Sequence, residues 1–193
     1  MRLCYRRAVG HRSGITLVEL LVVVGILGVL VAFAAPYIDL RRAQADSAML
    51  GLGTVLQAAQ REAVARQHDV ILTFDVPTSR IRIHFDADND AAEDPGERVR
   101  NVALESNVVF GLGAAPARAF GPGPVAFGPT AAQRLVFRRN GSTSGAGGFY
   151  LTSAKAAAGA PGGLFDTRAV EVVRATGRIE WFRYAGHQWK REF

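Results

Sequence analysis

The chain has 193 residues, 49% of them apolar, and a formal net charge of +6. That length holds one domain plus a tail or anchor, and the apolar share excludes a disordered polar chain. A single cysteine, Cys4, excludes an intramolecular disulfide, so the body is held by its core alone or by a core and a metal.

The charge is unevenly placed. Arg2, Arg6, Arg7 and Arg12 fall in the first 14 residues, with no acid among them. Removing these four from the 23 basic residues leaves 19 against 17 acidic ones, so the excess belongs largely to the N-terminal tip. From Ile15 to Ala35 the chain then reads ITLVELLVVVGILGVLVAFAA, 21 residues with Glu19 their only charge. Roughly 20 apolar residues cross a bilayer core as a helix. Basic residues on the N-terminal side predict a cytoplasmic N-terminus and a body outside. A secretory signal peptide competes for the same residues, with AFA before Ala35 as a cleavage-like site. Against it, the apolar run exceeds the usual signal core and contains an acid. That acid is the anomaly, because a carboxylate in lipid costs about 2–3 kcal/mol unless it finds a partner. Either Glu19 snorkels to the headgroups or a cation meets it. An amino group exposed at Ile15 by cutting after Gly14 would be such a cation.

These residues carry a resemblance. RSG followed by ITLVELLVVVGILGVLVAFAAPYI resembles the class III leader and N-terminal helix of type IV pilins and type II secretion pseudopilins. The resemblance implies that a prepilin peptidase cuts between Gly14 and Ile15 and methylates Ile15. It implies that Glu19 pairs with the N-terminal amine of an adjacent subunit during assembly, and that Pro36 kinks the helix. Ile15 departs from the family's commonest residue there, phenylalanine. The implied partners are other pilin subunits, the prepilin peptidase and an inner-membrane assembly platform. The implied location is a single pass through the inner membrane with a periplasmic body, followed by entry into a secretion pseudopilus or type IV pilus.

Beyond Pro36 the pattern turns amphipathic. Ile38, Ala45, Met49, Leu52, Leu56, Ala59 and Ala63 recur at helical spacing. This predicts one long helix from about 15 to 67 whose second half packs on a domain. Gly51 and Gly53 weaken its middle. After His68 the period switches to two. DVILTFD and SRIRIHFD flank the turn VPTS. ERVRNVAL, NVVFGL, QRLVFRR, GGFYLTS, RAVEVVRA and GRIEWFRYAG are further strand candidates, the last two joined at Thr176-Gly177. The stretches 111–130 and 155–164 read as long glycine- and proline-rich loops, mobile or in contact with partners. The expected fold is α+β: a leader over 1–14, a transmembrane half-helix over 15–35, an amphipathic half over 36–67, and an antiparallel β-sheet domain over 68–193. RLVFRRNGSTSGAGGFYLTS followed by RAVEVVRATGRIEWFRY resembles the GspH/FimT-type minor pilins. That implies a subunit that initiates or tips a filament.

Two further constellations invite chemistry. DADNDAAEDPGE, residues 86–97, numbers as a calcium loop. It offers Asp86, Asp88, Asp90, the Ala92 carbonyl, Asp94 and Glu97 at the ligand positions. Ala91 stands where the sharp turn wants glycine, and the flanks read as strands, so a solvated acidic hairpin tip is the alternative. Calcium is the one candidate cofactor, and none is required. The C-terminal end interleaves Arg174, Arg178, Arg183, Lys190 and Arg191 with Trp181, Phe182, Tyr184 and Trp189. Such a mixture suits nucleic acid, or a final strand with solvated arginines. Some FimT-type pilins bind DNA for transformation through a G-R-x-R motif at this place. Here the motif reads Gly177-Arg178-Ile179-Glu180, with an acid in place of the second arginine. His11, His68, His84 and His187 are scattered, and no phosphate loop or nucleophile elbow occurs, so the chain is not read as an enzyme.

Overall fold

The computed structural model describes residues 15–34, 40–105, 107–160 and 163–192. The leader with Gly14, and the segment holding Pro36 and Ile38, lie outside the described residues. The chain divides into two compact units, Met1–Asp39 and Leu40–Phe193.

The first unit contains helix α1 (Leu17–Ala34). Its described apolar side chains, from Leu17 through Val22 and Ile26 to Leu30, are exposed around the whole circumference. Eighteen residues make a helix about 27 Å long, short of a hydrocarbon core of about 30 Å. Among the described residues no helix is long and apolar enough to cross a membrane.

The second unit opens with helix α2 (Leu40–Arg66). Ala45, Met49, Leu52, Leu56, Ala59 and Ala63 are all buried, as their spacing predicts. They face two antiparallel sheets. The first is built from β1 (Asp69–Asp75), β2 (Arg80–Asp86), β3 (Arg98–Ala103) and a later strand, β6 (Arg134–Phe137), in the order β3-β2-β1-β6. The second takes β4 (Val108–Phe110), β7 (Gly147–Ser153), β8 (Arg168–Val172), β9 (Ile179–Ala185) and β10 (Gln188–Arg191) in the order β10-β9-β8-β7-β4. A short strand, β5 (Val125–Phe127), lies beside β4 along the same edge of β7. One core joins Leu52 and Leu56 of α2 to Leu72, Phe74 and Leu135 of the first sheet and to Phe149, Val170 and Trp181 of the second.

Every strand expected from the period-two pattern forms, but β5 and β10 have no counterpart in that reading. The stretch 111–130 is not a free loop. It covers the outer face of the second sheet and then contributes β5. On that face the Tyr150 hydroxyl donates to the Gly121 carbonyl (2.9 Å), the Trp189 indole donates to the Pro116 carbonyl (3.0 Å), and Phe120 stacks on Tyr150. Within 155–164, Ala154–Ala157 forms a short helix, α3, capped by Ser153, and a 3-10 turn begins at Gly163.

Gly53 has a reason to interrupt a helix. A Cβ there would stand 2.8 Å from Cζ2 of the buried Trp181 indole, whereas at Gly51 nothing lies within 4 Å. Gly53→Ala should therefore cost about 1–3 kcal/mol through overpacking, despite alanine's better helix propensity. Gly51→Ala should gain up to about 1 kcal/mol. Urea melts of the two variants check this pair of opposite signs.

Candidate functional site

Three regions inherit the residues singled out above. At the start of α1, Thr16 caps the helix, its Oγ1 accepting the Glu19 N–H (3.2 Å). Thr16 and Glu19 thus sit at the two positions of a capping box, with an acid in the first turn where the helix dipole favours it. Ile15 is exposed. The Glu19 carboxylate makes no hydrogen bond or ion pair among the described residues.

The acidic loop lies between β2 and β3, on strands as expected. Asp86 is buried, and its two carboxylate oxygens accept the N–H groups of Asp90 (3.2 Å) and Ala91 (2.9 Å). Glu97 closes the other end, accepting from Ala87 N–H (2.6 Å), Asp94 N–H (3.2 Å) and His84 Nε2 (2.5 Å). Arg82 pairs with Glu93, and Arg134 donates to the Ala91 carbonyl (3.3 Å). The first and last acids of the calcium numbering thus serve as acceptors that fold the loop, and protein cations offset part of its charge. The His84 hydrogen bond, with the N–H groups of Ala87 and Asp94, holds Glu97 down to about 2. The Asp90 carboxylate, with burial and then Asp88, Glu97 and Asp86, pushes Asp94 above the ordinary carboxylate range. The oxygens that could hold a cation fall in two overlapping groups, Asp86 with Asp88 and Glu97, and Asp88 with Asp90 and Asp94, each within 4.8 Å. Ala92 donates its N–H to Asp90 (2.7 Å). Ala91 adopts φ 65°, the left-handed turn the sequence reserves for glycine.

Three of the five C-terminal basic residues are paired with acids. Arg178 and Arg191 both pair with Glu180, and Arg183 pairs with Glu192 (2.8 Å). Trp181, Phe182 and Tyr184 are buried, and Trp189 packs against Tyr150 and Tyr184. Trp181 packs in the core on one face of the second sheet, and Phe182 with Trp189 on the other.

Residues 10–35 match the model of the prokaryotic N-terminal methylation motif. Over these residues the chain is similar to type IV pilin-like proteins. The chain is 38% identical over 87 residues to the pilin-like protein PilA1 of Thermus thermophilus, covering 45% of this chain and 56% of that relative. It thus spans just over half the length of the relative it matches. Two structures of the minor pseudopilin EpsH from the type 2 secretion system of Vibrio cholerae align with 72% of this chain, covering 97% and 94% of theirs. Their TM-scores are 0.42 and 0.41, at 16% and 17% identity.

The motif places Ile15, Thr16 and Glu19 inside the matched residues. Sequence reasoning missed the residues that hold α2 in place. Arg168 is buried and pairs with Asp46 (2.6 Å) while donating to the Phe165 (2.9 Å) and Thr167 (3.1 Å) carbonyls. The side-chain amide of Gln60 donates to the carbonyls of Thr176 (2.9 Å) and Gly141 (3.5 Å). Gly177, read first as part of a candidate DNA motif, has φ 62°, and a Cβ there would meet Gln60 and the Gly141 carbonyl at 2.5 Å. Neither arrangement had a signal, because residues 122 and 116 apart in sequence meet only in the fold.

Two outcomes follow for the acidic loop. Ala91→Gly should raise stability by roughly 1 kcal/mol by relieving the left-handed backbone, measured as a shift in urea midpoint. Glu97 has a lowered folded pKa, so its contribution is full above the unfolded value of 4.5 and is lost as pH falls toward about 2. Glu97→Gln should therefore flatten the loss of stability between those pH values, read from melts across that window.

Proposed function

We propose that this pilin-like chain is a minor pilin or pseudopilin subunit that acts by assembly. In this reading it is made as a precursor, cut between Gly14 and Ile15 by a prepilin peptidase and methylated at Ile15. Residues 15–35 hold it in the inner membrane, Pro36 is the helix-kinking proline that the resemblance implies, and residues 68–193 with the amphipathic helix lie in the periplasm. The subunit then passes into a type II secretion pseudopilus or a type IV pilus through an assembly platform, at the initiating or tip end.

One observation carries the reading. α1 exposes aliphatic side chains on every side. Such a helix is stable in lipid or among like helices. The Glu19 carboxylate in its first turn makes no ion pair among the described residues, so a cation of a neighbouring subunit can complete it. The supported mechanism is transfer of α1 from lipid to a bundle of copies, with Glu19 aligning each newcomer.

The test is Glu19→Ala in cells carrying the assembly machinery. Processing at Gly14 should remain normal, read by the mass of the mature chain, while sheared filaments should lose the variant. Normal incorporation would remove Glu19 from the mechanism, and an uncut precursor in the wild type would remove the pilin route altogether.

A further inference from the structure

We infer that the outer edge of β3 receives an extended, acidic segment of a partner polypeptide, which adds to the first sheet as a further strand. β3 ends that sheet and pairs with β2 alone. The register sets which of its backbone groups are used. Leu104 N–H donates to the Ser79 carbonyl (3.0 Å). Alternation along the ladder then joins Val102 to Ile81, Arg100 to Ile83 and Arg98 to Phe85 by hydrogen bonds. The N–H and C=O groups of Val99, Asn101 and Ala103 therefore point away from β2, and they meet no partner among the described residues.

The other end strands are handled differently. At the far end of the first sheet the outer side of β6 is occupied, because the Val136 carbonyl accepts Ser144 N–H (2.9 Å) and the Val136 N–H donates to the Ser144 hydroxyl (3.0 Å). β10, which ends the second sheet, has four residues. β3 has six, with no proline, no lysine and no covering segment among the described residues, the usual devices that blunt an edge.

Side chains along the edge select the occupant. Ile81, Ile83 and Phe85 are buried, so their opposite numbers Val102, Arg100 and Arg98 share the core-side face. Val102 is a half-buried rim of the core. Arg98 pairs with Glu62, its guanidinium 3.6 Å from the centre of the Phe85 ring. Arg100 is exposed and makes no ion pair among the described residues. A second copy of β3 would bring two more arginines to this face, and like charges across a strand pair are destabilising. Opposite charges are stabilising, so the fitting strand carries acids opposite Arg100 and Arg98 and an apolar residue opposite Val102. Run antiparallel, that segment reads apolar, any, acid, any, acid. Its backbone supplies affinity and its alternate side chains supply selectivity. This surface belongs to the body and does not rest on the filament reading.

The test uses the full chain in detergent micelles and a fluorescent peptide in which a valine and then two glutamates alternate with threonines, followed by anisotropy. Saturable binding is expected. The same peptide with lysines for glutamates should bind about tenfold more weakly, and Arg100→Glu should reverse that preference. Asn101→Pro should abolish binding in a folded chain, because the Asn101 N–H lies outside the ladder with β2. Methylating the threonine N–H groups of the peptide, which face β3 in this register, should abolish binding to the unaltered chain. Methylating those of the valine and glutamates, which face outward, should leave it intact, and this pair of peptides decides alone if Asn101→Pro does not fold. Strand addition is ruled out if the acidic peptide does not bind, if both methylated peptides bind alike, or if folded Asn101→Pro binds like the unaltered chain. An acidic partner is ruled out if the lysine peptide binds equally well. Self-association that Asn101→Pro abolishes, without peptide binding, would assign the edge to a second copy and overturn the proposal.

Discussion

The body of this protein depends on the burial of one stripe of α2 between two sheets. Ala45, Met49, Leu52, Leu56, Ala59 and Ala63 run the length of the helix and are nearly inaccessible. Each buried leucine or methionine contributes about 1.5–3 kcal/mol. The alanines do something different, because their small side chains let the strands approach closely. Gly53 takes this furthest, its missing side chain leaving the space that the Trp181 indole fills. Remove the helix and both sheets lose the shared surface on which they meet.

Polar contacts then fix how the helix sits on that surface. Near its start the buried Arg168 guanidinium is satisfied by Asp46 and two backbone carbonyls, which is the condition for burying a charge without a large penalty. Near its end Gln60 ties down the turns that precede β7 and β9. Apolar burial tolerates sliding and rotation, whereas these directional contacts accept one arrangement. Among the described residues α1 has no such polar anchors beyond its own cap, and its aliphatic side chains are exposed.

Charge is handled locally. The acidic loop meets Arg82, His84 and Arg134 from the first sheet, and its end carboxylates accept backbone N–H groups. What remains concentrated is the repulsion around Asp94. At the C-terminal end Arg178, Arg183 and Arg191 pair with Glu180 and Glu192.

Sequence by itself determined the apolar run with its one acid, the N-terminal methylation motif it carries, the buried face of α2 and most of the strands. Those features are periodic or local, so the residues that specify them are neighbours or lie one turn apart. It also marked Ala91 as a turn residue out of place, because a left-handed backbone is a local demand. Tertiary structure alone decided that Gly53 faces Trp181, that Gly177 faces Gln60, and that Arg168 reaches Asp46. It also decided that β5 and β10 exist, as short edge strands whose hydrogen bonds come from partners elsewhere in the chain. The same holds for the basic residues. Composition counts arginines, but only the fold shows which of them an acid has already met.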